Sequence, residues 1–106
     1  IAHDHIADNT QQGLWLQGAS STTIVANELV GNGGAAGAFD NVLLSDDANA
    51  NVFDGNIVRS GSRYGVSIAT PDCDGNAITN NDLVGAGAMG ALLDLGTGTV
   101  VDGNLQ

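Results

Sequence analysis

The chain has 106 residues, sixteen of them glycine, with twelve acidic residues against two arginines and no lysine, for a formal charge of −10. That charge makes nucleic acid, polyanionic surfaces and anionic lipid poor partners unless a metal intervenes, and neither nucleic acid nor membrane is expected. No apolar run approaches the ~20 residues that span a bilayer, and no signal peptide is expected within these residues. Self-repulsion of this size keeps a protein hydrated in concentrated salt, so a halophilic setting is expected. The single cysteine, Cys73, can form no internal disulfide.

One phrase recurs along the chain: an apolar residue, two variable residues, an asparagine, a variable residue and a second apolar residue. It opens as Ile1-Ala-His-Asp4-His-Ile6, with aspartate for asparagine, and continues as Ile24-Val-Ala-Asn27-Glu-Leu29, Phe53-Asp-Gly-Asn56-Ile-Val58, Ile78-Thr-Asn-Asn81-Asp-Leu83 and Val101-Asp-Gly-Asn104-Leu-Gln106. The corner positions Asp4, Asn27, Asn56, Asn81 and Asn104 stand 23, 29, 25 and 23 residues apart. Self-similarity at such a period is the signature of a solenoid, and this period suits one coil of a parallel β-helix. The asparagines are expected to take the left-handed conformation between two strands and to stack into a ladder of side-chain amides.

A second phrase follows nine residues after most corners: Gly13-Leu-Trp-Leu16, Asn41-Val-Leu-Leu44, Gly65-Val-Ser-Ile68 and Gly90-Ala-Leu-Leu93. Alternation within it predicts a short strand. In the second coil the offset grows from nine to fourteen, which places an insertion near 31–40, in Gly31-Asn-Gly-Gly-Ala-Ala-Gly-Ala-Phe-Asp40. Such a glycine- and alanine-rich stretch can leave the stack as a surface loop. The predicted inward columns are Ile1/Ile24/Phe53/Ile78/Val101, Ile6/Leu29/Val58/Leu83, Leu14/Val42/Val66/Ala91 and Leu16/Leu44/Ile68/Leu93; the predicted outward column is Trp15/Leu43/Ser67/Leu92. The expectation is an all-β, right-handed parallel β-helix of four to five coils of roughly 23 residues, residues 1–106 forming one segment of a longer chain. Apolar positions in the first and last coils, without polar caps, make end-to-end or lateral self-association an expected partnership.

Candidate sites follow from residue chemistry. Trp15 projects outward because its neighbours Leu14 and Leu16 point in, and an indole face is a platform for a sugar ring. Arg59, Arg63 and Tyr64 gather ahead of Gly65, close in sequence to Ser67, and guanidinium forks match uronate carboxylates. These five residues are the candidate substrate-binding set. His3 and His5, with Asp4 and Asp8, form a candidate transition-metal cluster, although Asp4 belongs to the corner column. Asp72-Cys-Asp74-Gly-Asn76 starts like a calcium loop but lacks its glycine at the sixth position and ends the span on Leu83. Asp46, Asp47, Asp72 and Asp94 fall in equivalent loops and form a weak candidate ledge for calcium. No metal site or cofactor is expected. No two carboxylates converge on one outward column as glycoside hydrolysis requires, so no catalytic residue is assigned.

The asparagine and glycine-valine phrases, repeated along the whole chain, resemble the right-handed parallel β-helix of the pectate-lyase superfamily. Within it, Asn41-Val-Leu-Leu-Ser-Asp-Asp47, Phe53-Asp-Gly-Asn56-Ile-Val58, Gly61-Ser-Arg-Tyr-Gly65-Val66 and Asn80-Asn-Asp-Leu-Val-Gly85 are similar to later coils of mannuronan C5-epimerases and related secreted polysaccharide enzymes. Those epimerases carry an Asp-Pro-His motif; here Pro71 lies between Thr70 and Asp72, so the motif is absent. The resemblance implies an extracellular or cell-surface scaffold segment contacting polysaccharide, not an enzyme active on this segment alone. The rival expectation is a non-enzymatic structural or adhesion solenoid such as a fibre, tailspike or surface-layer element.

Overall fold

The computed structural model describes residues 1–35 and 38–106. Eleven short strands follow the chain: β1 (His5–Ala7), β2 (Leu14–Gln17), β3 (Thr23–Val25), β4 (Glu28–Val30), β5 (Val42–Ser45), β6 (Val52–Asp54), β7 (Ile57–Arg59), β8 (Tyr64–Ile68), β9 (Ala77–Thr79), β10 (Gly90–Asp94) and β11 (Val100–Asp102). Every pairing is parallel and joins a strand to its equivalent one coil away. The result is three sheets, β1-β4-β7, β2-β5-β8-β10 and β3-β6-β9-β11, visited in that order in each of the first three coils; the fourth adds β10 and β11, with only isolated bridges at Asp82 where a first-sheet strand would stand. No α-helix occurs among the described residues. This is the predicted parallel solenoid.

Register fixes what faces inward. Ile24, Phe53 and Ile78 stack and are buried, as are Leu29, Val58 and Leu83, and Val42 and Val66. The outermost members of the first column, Ile1 and Val101, are 47% and 42% exposed, because each lies in a terminal coil with a neighbour on one side only. One predicted register is off by a residue. Gly90 pairs with Tyr64 and Leu92 with Val66, so Leu92 stacks inward and Leu93 lies opposite Ser67. The outward column is therefore Trp15, Leu43, Ser67 and Leu93. The inward shift puts a leucine, packed against the core, where alanine was expected.

The asparagine ladder forms as expected, with one correction to its backbone. The Asn27 side-chain amide donates to Asn56 Oδ1 at 3.0 Å, Asn56 to Asn81 at 3.1 Å and Asn81 to Asn104 at 3.0 Å. Each acceptor oxygen also takes the backbone N–H of the asparagine above it, and the Asp4 N–H donates to Asn27 Oδ1 at the top. The left-handed residue is not the asparagine but its predecessor: His3, Ala26, Gly55, Asn80 and Gly103 have φ of 59°, 56°, 62°, 53° and 66°. That one residue turns the chain, so the asparagine side chain is aimed into the stack, where its amide satisfies groups the bend would otherwise bury unpaired.

The other two corners carry asparagine pairs as well. Between the second and third sheets, Asn51 Nδ2 donates to Asn76 Oδ1 at 3.1 Å and to Ala19 O, while Thr22 N–H donates to Asn51 Oδ1. Between the first and second sheets, Asn9 Nδ2 donates to Asn32 Oδ1 and Asn32 Nδ2 to Asn41 Oδ1. Among the described residues no buried side-chain nitrogen or oxygen lacks a partner. Amide ladders thus line all three corners around an aliphatic core.

Candidate functional site

The longest strands belong to the second sheet. Trp15 in β2 is 49% exposed. Its indole N–H donates to Ser45 Oγ at 2.8 Å on the adjacent strand. The Ser45 hydroxyl in turn donates to Asp46 Oδ2, which also accepts from Gln17 Nε2. The ring is pinned by its polar edge while much of its apolar surface stays in solvent. Leu43 and Leu93 are half-buried along the same column, whereas Ser67, expected at a groove, is only 1% exposed. Ser67 is therefore closed off from a ligand by its own sheet.

The corner before β8 holds a second cluster. The Arg63 guanidinium carbon lies 5.5 Å from the Tyr64 ring centroid, a cation–π contact. Asp40, the last residue of the insertion, directs Oδ1 at the Tyr64 N–H (3.1 Å) and lies 3.6 Å from Arg63 Nε. The Asp40 side chain is 4% exposed and that of Arg63 is 38% exposed, so a buried anion holds a surface cation in place. Gly90 flanks the same ring; a β-carbon there would sit 3.3 Å from Tyr64 Cε1.

Arg59 has a different occupation. It pairs with Asp82 through Nη2, and its Nη1 donates to the carbonyls of Val58 and Asp82 at 2.9 Å. This hydrogen bond, with a second from Val84 N–H, holds the Asp82 carboxyl below its ordinary value of 3.8 against the opposing effect of burial. Arg59 closes β7 on the first sheet and serves coil-to-coil cohesion. The two arginines, near in sequence, are thus bound to separate carboxylates.

The remaining candidates resolve into local structure. His5 Nδ1 contacts Glu28 Oε2 at 2.9 Å, one coil apart, and His3, Asp4, His5 and Glu28 border an open hollow with Ile57 and Gly55. Among the described residues no three His, Cys, Asp or Glu side chains gather closely enough to hold a metal ion. Asp74 sits in an inter-coil turn, its N–H donating to Asn49 Oδ1. Asp94 accepts from Gly96 N–H and Thr99 Oγ1, capping its own turn.

A family model described as a right handed beta helix region matches residues 1–105. The chain belongs to the right-handed β-helix family. No curated protein and no solved structure gives a significant match. The match thus fixes the hand of the coils, and the chemistry of this β-helix has to be read from its own surface.

Two features escape the sequence reading of this β-helix. Asn51 and Asn76 stand five residues ahead of Asn56 and Asn81, and Asn32 five residues after Asn27, so a search for asparagine at a fixed offset would have found the further ladders. Asp40 carried no such signal beyond lying 23 residues, one short coil, ahead of Arg63.

Proposed function

We propose that this β-helix is a scaffold and polysaccharide-contact segment of a secreted carbohydrate-active protein, of the pectate-lyase-like or mannuronan-epimerase-like kind. The observation that carries this reading is Trp15: a half-exposed indole whose edge is fixed by Ser45, on a sheet whose β8 strand opens with the Arg63–Tyr64 stack. Two coils separate the strands, ~10 Å at ~4.8 Å per coil, and Tyr64 stands three residues ahead of Ser67, the β8 residue aligned with Trp15, so an extended oligosaccharide reaching both rings runs diagonally from the sheet to its corner. Rigid aromatic faces bind sugar rings because little side-chain entropy is lost and the apolar ring faces leave water. Trp15, Arg63 and Tyr64 are the contact residues of this reading; Arg59, bound to Asp82 on the first sheet, is left out of it.

The chain contains one tryptophan, so its fluorescence reports on the site directly. Titration with soluble β-linked oligosaccharides should change Trp15 emission saturably, and Trp15→Ala should weaken binding measured by calorimetry. A flat titration with every glycan, accompanied by concentration-dependent sedimentation, would instead favour the structural solenoid, in which exposed apolar residues such as Val52 and Val100 on the third sheet meet another subunit.

A further inference from the structure

We propose that Asp40 is a positioning residue that sets the charge class of the glycan, directing the Arg63–Tyr64 platform to a neutral sugar over a uronate. This inference rests on the polysaccharide-contact reading above but departs from its lyase- or epimerase-like kind, because it gives the platform a charge class other than the uronate chains which that resemblance implies. Asp40 reaches its place because the insertion returns to the stack there: the next residue, Asn41, is locked inside the coil, its Oδ1 accepting from Asn32 Nδ2 and its Nδ2 donating to the carbonyls of Leu29 and Arg59. The Asp40 carboxylate, 4% exposed, takes the Tyr64 N–H and faces Arg63 Nε. A buried charge is screened by salt far less than an exposed one, so the anion stays coupled to the guanidinium.

Two consequences follow for a ligand. The guanidinium is held by its Nε side across the Tyr64 ring, and among the described residues Nη1 and Nη2 have no hydrogen-bond partner. Those N–H groups are donors that sugar hydroxyl oxygens accept. The positive charge, however, is already balanced by Asp40, and ten further carboxylates surround a chain whose other arginine is bound to Asp82. A uronate brought to this platform meets donors without net positive charge, in a field that repels it. A neutral sugar uses the same donors and feels no such repulsion.

The test compares two ligands that differ at one carbon: a β-1,4-mannan oligosaccharide and an oligomannuronate of equal length, where a hydroxymethyl group becomes a carboxylate. Wild type should bind the mannan at least about tenfold more tightly at low salt. Asp40→Asn keeps an oxygen for the Tyr64 N–H but removes the charge, and should raise oligomannuronate affinity about tenfold, a gain abolished by adding Arg63→Ala. Should Asp40→Asn fold poorly by its melting curve, Arg63→Gln serves in its place; it bares the Asp40 charge and should push the preference further toward mannan. A preference ratio unmoved by a folded Asp40→Asn or by Arg63→Gln, or a wild type that prefers oligomannuronate, overturns the role of Asp40 while leaving glycan contact intact. Binding of neither oligosaccharide to wild type or variants overturns the contact reading itself and this inference with it.

Discussion

Asn32 donates its amide to Asn41 Oδ1 at 2.6 Å, joining the two residues that bracket the inserted loop. Asn41 occupies the strand position held by Gly13 in the first coil, the residue just before the Leu14–Val42 pair. Beside Gly13 the Asn32 amide takes the room a β-carbon would need, whereas Asn41 carries its own amide and donates to Leu29 O and Arg59 O in the second and third coils. Asn32 meanwhile binds Ile6 O and Asn9 in the first coil. The insertion leaves the stack and returns across a closed polar bridge, so the core on either side is undisturbed. Asn41→Gly, which would make this coil resemble the first, should cost about 2–4 kcal/mol by stranding a buried Asn32 donor and emptying its site. Urea denaturation measures it; an unchanged midpoint would mean that the bridge contributes nothing.

The corner ladder predicts a graded response. Asn56 is 1% exposed, its oxygen accepts from Asn27 N–H and Nδ2, and its amide donates to Ile24 O as well as Asn81. Asn104 makes the same kind of contacts with Asn81 and Ile78 O but is half-exposed, so water can replace them. Asn56→Ala should therefore destabilise by about 2–4 kcal/mol and Asn104→Ala by no more than about 1 kcal/mol. Equal losses at the two positions would contradict the burial argument.

Ala26 stands where the backbone would favour glycine. Its φ is 56°, while Gly55 and Gly103 fill the equivalent positions in other coils. A left-handed alanine is strained by ~1–2 kcal/mol, whereas glycine loses ~0.5–1 kcal/mol of extra chain entropy on folding. Ala26→Gly should thus raise stability by up to about 1 kcal/mol, since the side chain only borders an open hollow. Asn80, also left-handed at φ 53°, is the control: its amide donates to Asp54 Oδ1 at 2.8 Å, so Asn80→Gly sacrifices a contact and should gain little. Thermal melts of both variants decide the point.

What the sequence made legible was whatever repeats. The corner position, asparagine in all but the first copy, and the aliphatic columns recur from coil to coil, so Phe53 could be placed inside and Trp15 outside from spacing alone. The register of the last long strand was not legible, because Gly90-Ala-Leu-Leu93 matches Gly65-Val-Ser-Ile68 by composition while pairing one residue away. Glycines gave no pattern to choose between them, and only packing of Leu92 over Val66 distinguishes the two. Ion pairing was hidden for a related reason: Arg59 and Arg63 are neighbours in sequence, but their partners Asp82 and Asp40 lie 23 residues away in opposite directions, one below and one above.

That register can be checked by truncation. Leu92 packs against the buried core, whereas Leu93 lies on the outward column opposite Ser67. Leu92→Ala should cost about 1–3 kcal/mol and Leu93→Ala less than about 1 kcal/mol, the difference reflecting apolar area withdrawn from water and the void left inside. The reverse order in denaturant midpoints would restore the register that composition suggests.

Acid should weaken the stack through two identified carboxylates. Asp54 accepts from Thr79 Oγ1 at 2.7 Å and Asn80 Nδ2 at 2.8 Å, and these bonds, Thr79 first, hold its carboxyl below the ordinary 3.8. Asp82 is lowered in the same sense, chiefly by Arg59. A folded value below the unfolded one means that the unfolded chain binds more protons in that range, so folding stability falls as protons are added. The contribution is fully present above the unfolded value near 3.8 and is lost as pH drops through the folded values beneath it. Melting temperature followed downward from pH 5 should therefore decline most steeply below about pH 4. Arg59→Gln should flatten the part of that decline due to Asp82, and Thr79→Val the part due to Asp54. Declines of identical slope in wild type and both variants would show that acid acts on other groups, and that these two carboxylates bind protons alike in the folded and unfolded chain.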